Sequence, residues 1–291
     1  MKEIIVLSGK GGTGKTSVTS ALASLFSNAV FCDCDVDAAD LHLIFSPQIK
    51  KTESFPSSSL LEINTDLCLQ CGLCESLCRF EAIEISGDIY KINEHLCESC
   101  RLCERVCPNN AISYIPREDN QWMRSKSRFG DMVHAEMGIG EENSGRLVAK
   151  VRQEALNISD KKDSQFILTD GPPGIGCPVI SSLSRANYVI LIAEPSMSSL
   201  HDLERLAKLV NRFKIPMFGI VNKYDLNFEL SQNIISFFKE NNVQILGDIP
   251  FSEKMVEAVQ KGESIIEYAP ECELSISFKK IFEKLMKNLE L

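Results

Sequence analysis

Long apolar runs, an excess of positive charge and more than one tryptophan are all missing from this 291-residue chain. The longest uninterrupted apolar stretches, such as Tyr188 to Ala193, fall far short of the ~20 residues that a membrane span needs. Lys and Arg number 31 against 40 Asp and Glu, a formal net charge of −9, which speaks against a nucleic-acid binder held by sequence-independent electrostatics. The chain opens Met1-Lys2-Glu3 and reaches Gly9 before a long apolar segment can build, so a signal peptide is not expected and a soluble, cytoplasmic protein is. Cysteine, by contrast, is plentiful, at 12 residues. Disulfides are disfavoured in a reducing compartment, so that number asks for a metal or redox role. The remaining composition, 44% hydrophobic and 24% charged, is that of a globular protein large enough for one α/β domain with a small insertion.

Ile4 to Leu7 is a short run rich in β-branched residues. A glycine-rich segment follows, and then Val18, Ala21, Leu22 and Leu25 recur at helical spacing, which predicts strand, loop and helix. Further strands are expected at Ala29 to Cys32, Phe166 to Leu168, Tyr188 to Ala193, Phe218 to Val221 and Gln244 to Leu246. Helical periods separate most of them, so the fold class is α/β, a doubly wound and mainly parallel sheet covered on both faces. The polar stretch Thr52 to Ser59 has the character of a linker. Glu118 to Gly145 is irregular, with part of it expected as a hairpin and His134 as a partly exposed loop residue. Between these segments lies an insertion that repeats itself: Ile63-Asn64, Leu67-Cys68, Leu73-Cys74-Glu75 and Ala82-Ile83 recur 29 residues later as Ile92-Asn93, Leu96-Cys97, Leu102-Cys103-Glu104 and Ala111-Ile112. Two copies of one unit about a pseudo-twofold axis are expected. The domains are therefore 1–59 with 117–291, and the insert 60–116.

Gly9-x4-Gly14-Lys15-Thr16, directly after a strand and before a helix, satisfies the pattern of a phosphate-binding loop. Its glycines let consecutive backbone N–H groups turn toward phosphate oxygens, and the helix N-terminus adds partial positive charge. Gly9, Lys10, Gly11, Gly12, Thr13, Gly14, Lys15, Thr16 and Ser17 are then the nucleotide-binding segment, with Lys15 on the β- and γ-phosphates and the Thr16 hydroxyl on Mg2+. A second lysine, Lys10, sits inside the loop. Lys10 to Thr16 resembles the deviant Walker A motif of the MinD/ParA family of P-loop ATPases, in which the extra lysine reaches across a nucleotide-sandwich dimer. The resemblance implies ATP hydrolysis, a homodimer, and Lys10, Lys15 and Asp35 as catalytic residues. Phe31 to Asp37 resembles the family's switch I, which implies that Asp35 orients the attacking water and that Asp33 lies near the Mg2+ shell. Phe166 to Gly174 resembles its Walker B and switch II, with Asp170 holding Mg2+ through water. Val221 to Asp225 is similar to its base-recognition loop, with Asn222 facing adenine. A solvated loop lysine for Lys10, and capping or turn carboxylates for the aspartates, are the structural alternatives.

Cys68-x2-Cys71-x2-Cys74-x3-Cys78 and Cys97-x2-Cys100-x2-Cys103-x3-Cys107-Pro108 reproduce, twice, the bacterial ferredoxin spacing. In that pattern three cysteines of a run cap one cubane and the fourth ligates the other. Cys68, Cys71, Cys74 and Cys107 would hold one [4Fe-4S] cluster, and Cys97, Cys100, Cys103 and Cys78 the second. Zinc is the alternative, but four close cysteines per run, duplicated, suit cubanes better than tetrahedral sites. Arg79 replaces the proline usual after the fourth cysteine, which should leave ligation intact because proline only shapes the turn. The insert is thus expected to be an α+β, bacterial-ferredoxin-like domain.

Cys177 lies seven residues beyond Asp170, an offset that resembles a cluster-binding cysteine of the nitrogenase iron protein. A buried, inert side chain is the expectation for it, and an extra bridging metal or redox site the alternative. The C-terminal stripe Phe278, Ile281, Phe282, Leu285, Met286 and Leu289 is expected to pack on the core and not on a membrane. Gly140 to Gly145 resembles a segment of MinD-like ATPases with inserted ferredoxin domains. The expected protein uses ATP, Mg2+ and two [4Fe-4S] clusters to couple a nucleotide-driven dimer cycle to electron transfer toward a redox partner. The second possibility is an ATP-dependent carrier that delivers an Fe–S or other metal cofactor to an apo-metalloprotein. Neither nucleic acid nor membrane is an expected partner.

Overall fold

Ile4, Ile5, Val6 and Leu7 are all fully buried, and their alternation sets the architecture. Successive strand residues face opposite sides, so Ile4 and Val6 enter one core while Ile5 and Leu7 enter another. A strand apolar on both faces needs helices on both. The computed structural model describes residues 1–56, 59–116, 120–138 and 144–289. They divide into two compact units, one of 1–53, 121–137 and 143–291 and one of 54–120 and 138–142.

In the larger unit the elements run β1 (Lys2–Ser8), α1 (Lys15–Ala23), β2 (Ala29–Asp33), α2 (Leu41–Phe45) and β3 (Gln48–Ser54). The smaller unit supplies β4 (Ser59–Ile63), α3 (Leu73–Ser76), β5 (Ile83–Ser86), β6 (Ile89–Ile92), α4 (Leu102–Val106) and β7 (Ile112–Pro116). The chain returns through β8 (Gln121–Lys126), β9 (Asp131–Glu136), α5 (Ser144–Lys162), β10 (Phe166–Asp170), α6 (Cys177–Leu183), β11 (Tyr188–Ala193) and α7 (Met197–Arg212). It ends with β12 (Met217–Asn222), α8 (Phe228–Glu240), β13 (Gln244–Ile249), α9 (Glu253–Gln260), α10 (Ile265–Tyr268) and α11 (Glu273–Asn288). Nine strands form one sheet in the order β13-β12-β11-β1-β10-β2-β9-β8-β3. Every pair from β13 to β9 is parallel, and β8 is antiparallel to β9. Helices α1, α2 and α11 pack on one face, and α6, α7 and α8 on the other. The glycine-rich loop leaves β1 between β10 and β11, at the carboxyl edge where the chain changes direction across the sheet. That is where open α/β sheets bind ligands.

Three expectations are corrected. Thr52 to Ser54 belongs to β3, and not to a linker; this exposed edge strand lacks the alternation of a half-buried one, so its sequence reads as a polar connection. His134 is not in a loop but on β9, buried and 2.9 Å from the Ser125 hydroxyl across the β8–β9 hairpin. Cys177 is exposed, as the first residue of α6. The C-terminal stripe does pack inward, burying Phe278, Ile281, Leu285 and Leu289 in the first core. Among the described residues no helix is long and apolar enough to cross a membrane. Most of the Gly140 to Gly145 run lies outside the described residues. One long-range tie crosses the larger unit: Arg152 of α5 pairs bidentately with buried Glu3 of β1, at 2.6 and 2.8 Å, and donates to the Ser181 and Ser184 carbonyls.

In the smaller unit the 29-residue repeat becomes a symmetry of pairing. β4 opens the first copy and pairs antiparallel with β7, which closes the second; β6 and β5 pair in the same way. The hydrogen bond from Asn64 N to Ala111 O, 2.7 Å, has its counterpart from Asn93 N to Ala82 O, 2.8 Å. Neither copy completes a sheet without the other.

Burial, and then the charge of nearby His42, lower the His134 pKa to about 4. An unfolded histidine titrates near 6.5, so between about pH 6.5 and 4 the unfolded chain binds a proton that the folded one refuses. Stability supplied by His134 is therefore complete above pH 6.5 and lost as pH falls, at up to about 1.4 kcal/mol per pH unit. Urea denaturation at pH 7 and pH 5.5 is expected to show this loss in the wild type and to show it diminished in His134→Gln.

Candidate functional site

The Asp170 carboxylate, at the end of β10, gathers the loop beside it. Oδ1 accepts from Lys15 Nζ at 2.8 Å and from the Thr19 hydroxyl at 2.9 Å, and Oδ2 accepts from the Thr16 hydroxyl at 2.7 Å. Lys15 also pairs with Asp35 at 3.2 Å. Burial works against the Lys15 ammonium, but the surrounding carboxylates of Asp170, Asp35 and Asp33 outweigh it and raise its pKa. The same burial, with repulsion from Asp170, raises Asp35 and lifts Asp33 well above the usual carboxylate range, against the pull of Lys15. Three carboxylates thus surround a single ammonium.

Asp33 also braces its own loop. Its oxygens accept from Asp35 N at 3.1 Å and from Leu41 N at 3.2 Å, which fixes the segment carrying Asp35. Cys32 and Cys34, on either side of it, are fully buried with their sulfurs 3.5 Å apart. The Asn222 side-chain amide donates to Thr13 O at 2.7 Å. Next to it a recess with largely apolar walls is lined by Gly12, Gly14, Ser17, Asn222, Pro250, Phe251, Val256 and Val259.

Lys10 turns to the β11–α7 connection, where its ammonium meets Glu194 at 3.0 Å and the hydroxyls of Ser196 and Ser198 at 3.1 and 3.0 Å. Glu194 also meets Lys223 at 2.9 Å, and Lys223 donates to Gly12 O at 3.1 Å. Burial would raise the Glu194 pKa, but hydrogen bonds from Lys223 and Lys10 bring it below the ordinary value. Glu194, Ser196, Ser198 and Thr19 were not legible as site residues, because each comes from a turn or helix without a motif of its own.

The eight insert cysteines line two cavities in crossed sets. Cys68, Cys71, Cys74 and Cys107 line one, with Ile63, Tyr90 and Pro108. Cys97, Cys100, Cys103 and Cys78 line the other, with Leu61, Phe80 and Arg79. The loops bend alike: Gln70 and Gly72 take positive φ of 56° and 71°, and Ser99 and Arg101, 29 residues on, take 47° and 61°. Burial pushes the Cys103 thiol up to about 11, against a hydrogen bond from the Glu104 backbone and with help from neighbouring thiols. Cys71 and Cys100 are exposed. Among the described residues no three His, Cys, Asp or Glu side chains converge as closely as one metal ion requires.

A Cβ at Gly14 would lie 2.3 Å from Asn222 Nδ2, on a residue whose φ is +86°, whereas one at Gly11 would meet nothing within 4 Å. Gly14→Ala is expected to lower unfolding free energy by about 1–3 kcal/mol, from strain and overpacking, and Gly11→Ala by less than about 0.5 kcal/mol. Parallel urea titrations check the contrast.

The CobQ/CobB/MinD/ParA nucleotide-binding domain family matches residues 4–265. An uncharacterised protein of Methanocaldococcus jannaschii is 35% identical over 286 residues, covering 97% of this chain and 96% of the relative. A cytosolic Fe-S cluster assembly factor, the NUBP1 homologue of Caenorhabditis briggsae, is 21% identical over 99% of this chain and 81% of its own length. The cell division ATPase MinD of Pyrococcus furiosus has the same fold, with a TM-score of 0.57 at 19% identity over 98% of both chains. Family match, fold and loop geometry agree: the chain belongs to the MinD/ParA-type family of P-loop ATPases.

Proposed function

We propose that this protein is an ATP-hydrolysing iron–sulfur protein, in which a nucleotide-driven homodimer cycle gates electron transfer through two [4Fe-4S] clusters to a redox partner. The observation that carries the proposal is the crossed lining of the two cavities, three cysteines from one run and the fourth from the other. Thiols are the ligands that soft iron–sulfur clusters select, and in a cubane each thiolate ends on its own iron, so the four need not converge on one point. When bound, the clusters would supply one-electron storage and transfer. The ligand sets would be Cys68, Cys71, Cys74 and Cys107, and Cys97, Cys100, Cys103 and Cys78, within a ferredoxin-like domain of residues 60–116.

At the loop, Lys15 would exchange Asp170 and Asp35 for the β- and γ-phosphates of ATP. The Thr16 hydroxyl would turn from Asp170 to Mg2+, with Asp170 behind it holding an intervening water. Three carboxylates facing one ammonium favour an added divalent cation. Asp35, released from Lys15, would orient the attacking water, while Asp33 keeps its loop in place. Asn222 and the recess beside it would take the adenine. Lys10 would act on phosphates across a nucleotide sandwich of two protomers.

The second possibility, a carrier of Fe–S or other metal cofactors to an apo-protein, is favoured by the exposure of Cys71 and Cys100 and by the relative named as an assembly factor. Cluster retention separates the two. Anaerobic protein is expected to hold about eight iron atoms per chain, four per cubane. Cys74→Ser and Cys107→Ser should lose the same electron paramagnetic resonance signal although they sit in different runs; loss of different signals would refute the crossed ligation. Electron transfer to an acceptor is expected to depend on ATP, to stop in Lys15→Ala, and to leave iron content unchanged over many turnovers. Stoichiometric loss of iron to the acceptor on adding ATP would establish the carrier instead.

A further inference from the structure

An ammonium group has three N–H donors, and Lys10 has three partners at the β11–α7 connection and the first turn of α7: the Glu194 carboxylate in an ion pair at 3.0 Å, and Ser196 Oγ and Ser198 Oγ as hydrogen-bond acceptors at 3.1 and 3.0 Å. Glu194 is itself held in place. Its backbone N–H donates to the Ser199 hydroxyl at 3.2 Å, and its carbonyl accepts from Ser196 N at 2.8 Å. Its second carboxylate oxygen meets Lys223 at 2.9 Å, and Lys223 reaches the loop again at Gly12 O, 3.1 Å away. One fixed anion therefore stands between two half-buried lysines at the mouth of the glycine-rich loop.

From this geometry we infer that Glu194 is a positioning residue that keeps Lys10 on the β11–α7 connection until phosphate oxygens in the facing protomer compete for it, and so sets how tightly the nucleotide sandwich holds a nucleoside triphosphate. The inference rests on the nucleotide-binding function proposed above. A phosphate oxygen can bond Lys10 only by displacing one of its present acceptors. Of the three, the carboxylate alone carries charge, and charge-assisted hydrogen bonds are roughly twice as strong as neutral ones. The exchange is thus from one anion to another, and the net attraction is what remains of the phosphate's pull after Glu194 is given up. Neutralising Glu194 leaves only the two neutral hydroxyls for a phosphate oxygen to displace.

The test is titration calorimetry with a non-hydrolysable ATP analogue and Mg2+, on wild type, Glu194→Gln, Glu194→Asp, Lys10→Ala and the Lys10→Ala/Glu194→Gln double variant. Glu194→Gln is expected to bind about two- to fivefold more tightly at low salt, the range of a partly exposed ion pair. The gain should shrink at high salt, because surface charge is screened. Glu194→Asp, which keeps the charge, should resemble the wild type. In the Lys10→Ala background the Gln substitution should change little, because its effect runs through Lys10. Tightening that persists without Lys10, or Glu194→Gln binding equal to or weaker than wild type, overturns the inference while leaving the ATPase proposal standing. No binding by the wild type overturns both.

Discussion

Asp170 lies almost wholly buried at the end of the strand beside β1, and three separate donors of the α1 turn end on its two oxygens. Because β10 is flanked by β1 and β2, that one carboxylate ties the glycine-rich loop to the strand that supplies Asp33. Its backbone continues the tie, since Asp170 O accepts from Cys34 N at 2.8 Å. A buried ammonium without a counter-ion is costly; breaking such a pair is worth about 3–5 kcal/mol. Lys15 can therefore leave Asp170 only for another anion. The loop, Asp35 and the brace that Asp33 provides are all arranged around this constraint.

The smaller unit depends on a different device. It has few buried apolar side chains, chiefly Leu61, Ala82, Ile83, Ala111 and Ile112 among the described residues, and a core that small does not stabilise a domain well by itself. Its strands cross between copies, so that each short sheet joins the beginning of one repeat to the end of the other. The cysteines follow the same crossing, because Cys107 lies next to β7, which pairs with the strand leading to Cys68. Crossed ligation would then reinforce crossed pairing, and metal binding would contribute to folding in such a unit.

Periodicity made the parallel strands legible because they are apolar on both faces, and the loop motif because a phosphate cradle tolerates few sequences. The 29-residue repeat announced the symmetry of the insert. What stayed hidden follows from contacts that lie far apart in the chain. Thr52 to Ser54 are exposed, so nothing in their pattern marks a strand. His134 looks like a loop residue until the hairpin brings Ser125, diagonal to it across the two strands, within hydrogen-bond reach. Cysteine is so often buried that the exposed Cys177 ran against composition. Glu194 carries no local signature at all: its place is set by the end of β11, and its partners Lys10 and Lys223 are 184 and 29 residues away.

Both loop lysines are thus held by carboxylates of their own chain, Lys15 by Asp170 and Asp35, and Lys10 by Glu194. Phosphate binding at this loop exchanges ion pairs; it does not create them from solvated charges. The energy available from each lysine is a difference, smaller than a phosphate contact taken alone would suggest. Driving a two-state cycle from 1:99 to 99:1 needs about 5.5 kcal/mol of differential binding. Exchange within one protomer is poorly suited to supply that, since what the phosphates gain the carboxylates lose. In the proposed dimer cycle, only contacts between protomers that displace no ion pair of their own escape this offset. In that cycle the carboxylate-held lysines would leave most of the work of switching to those other contacts.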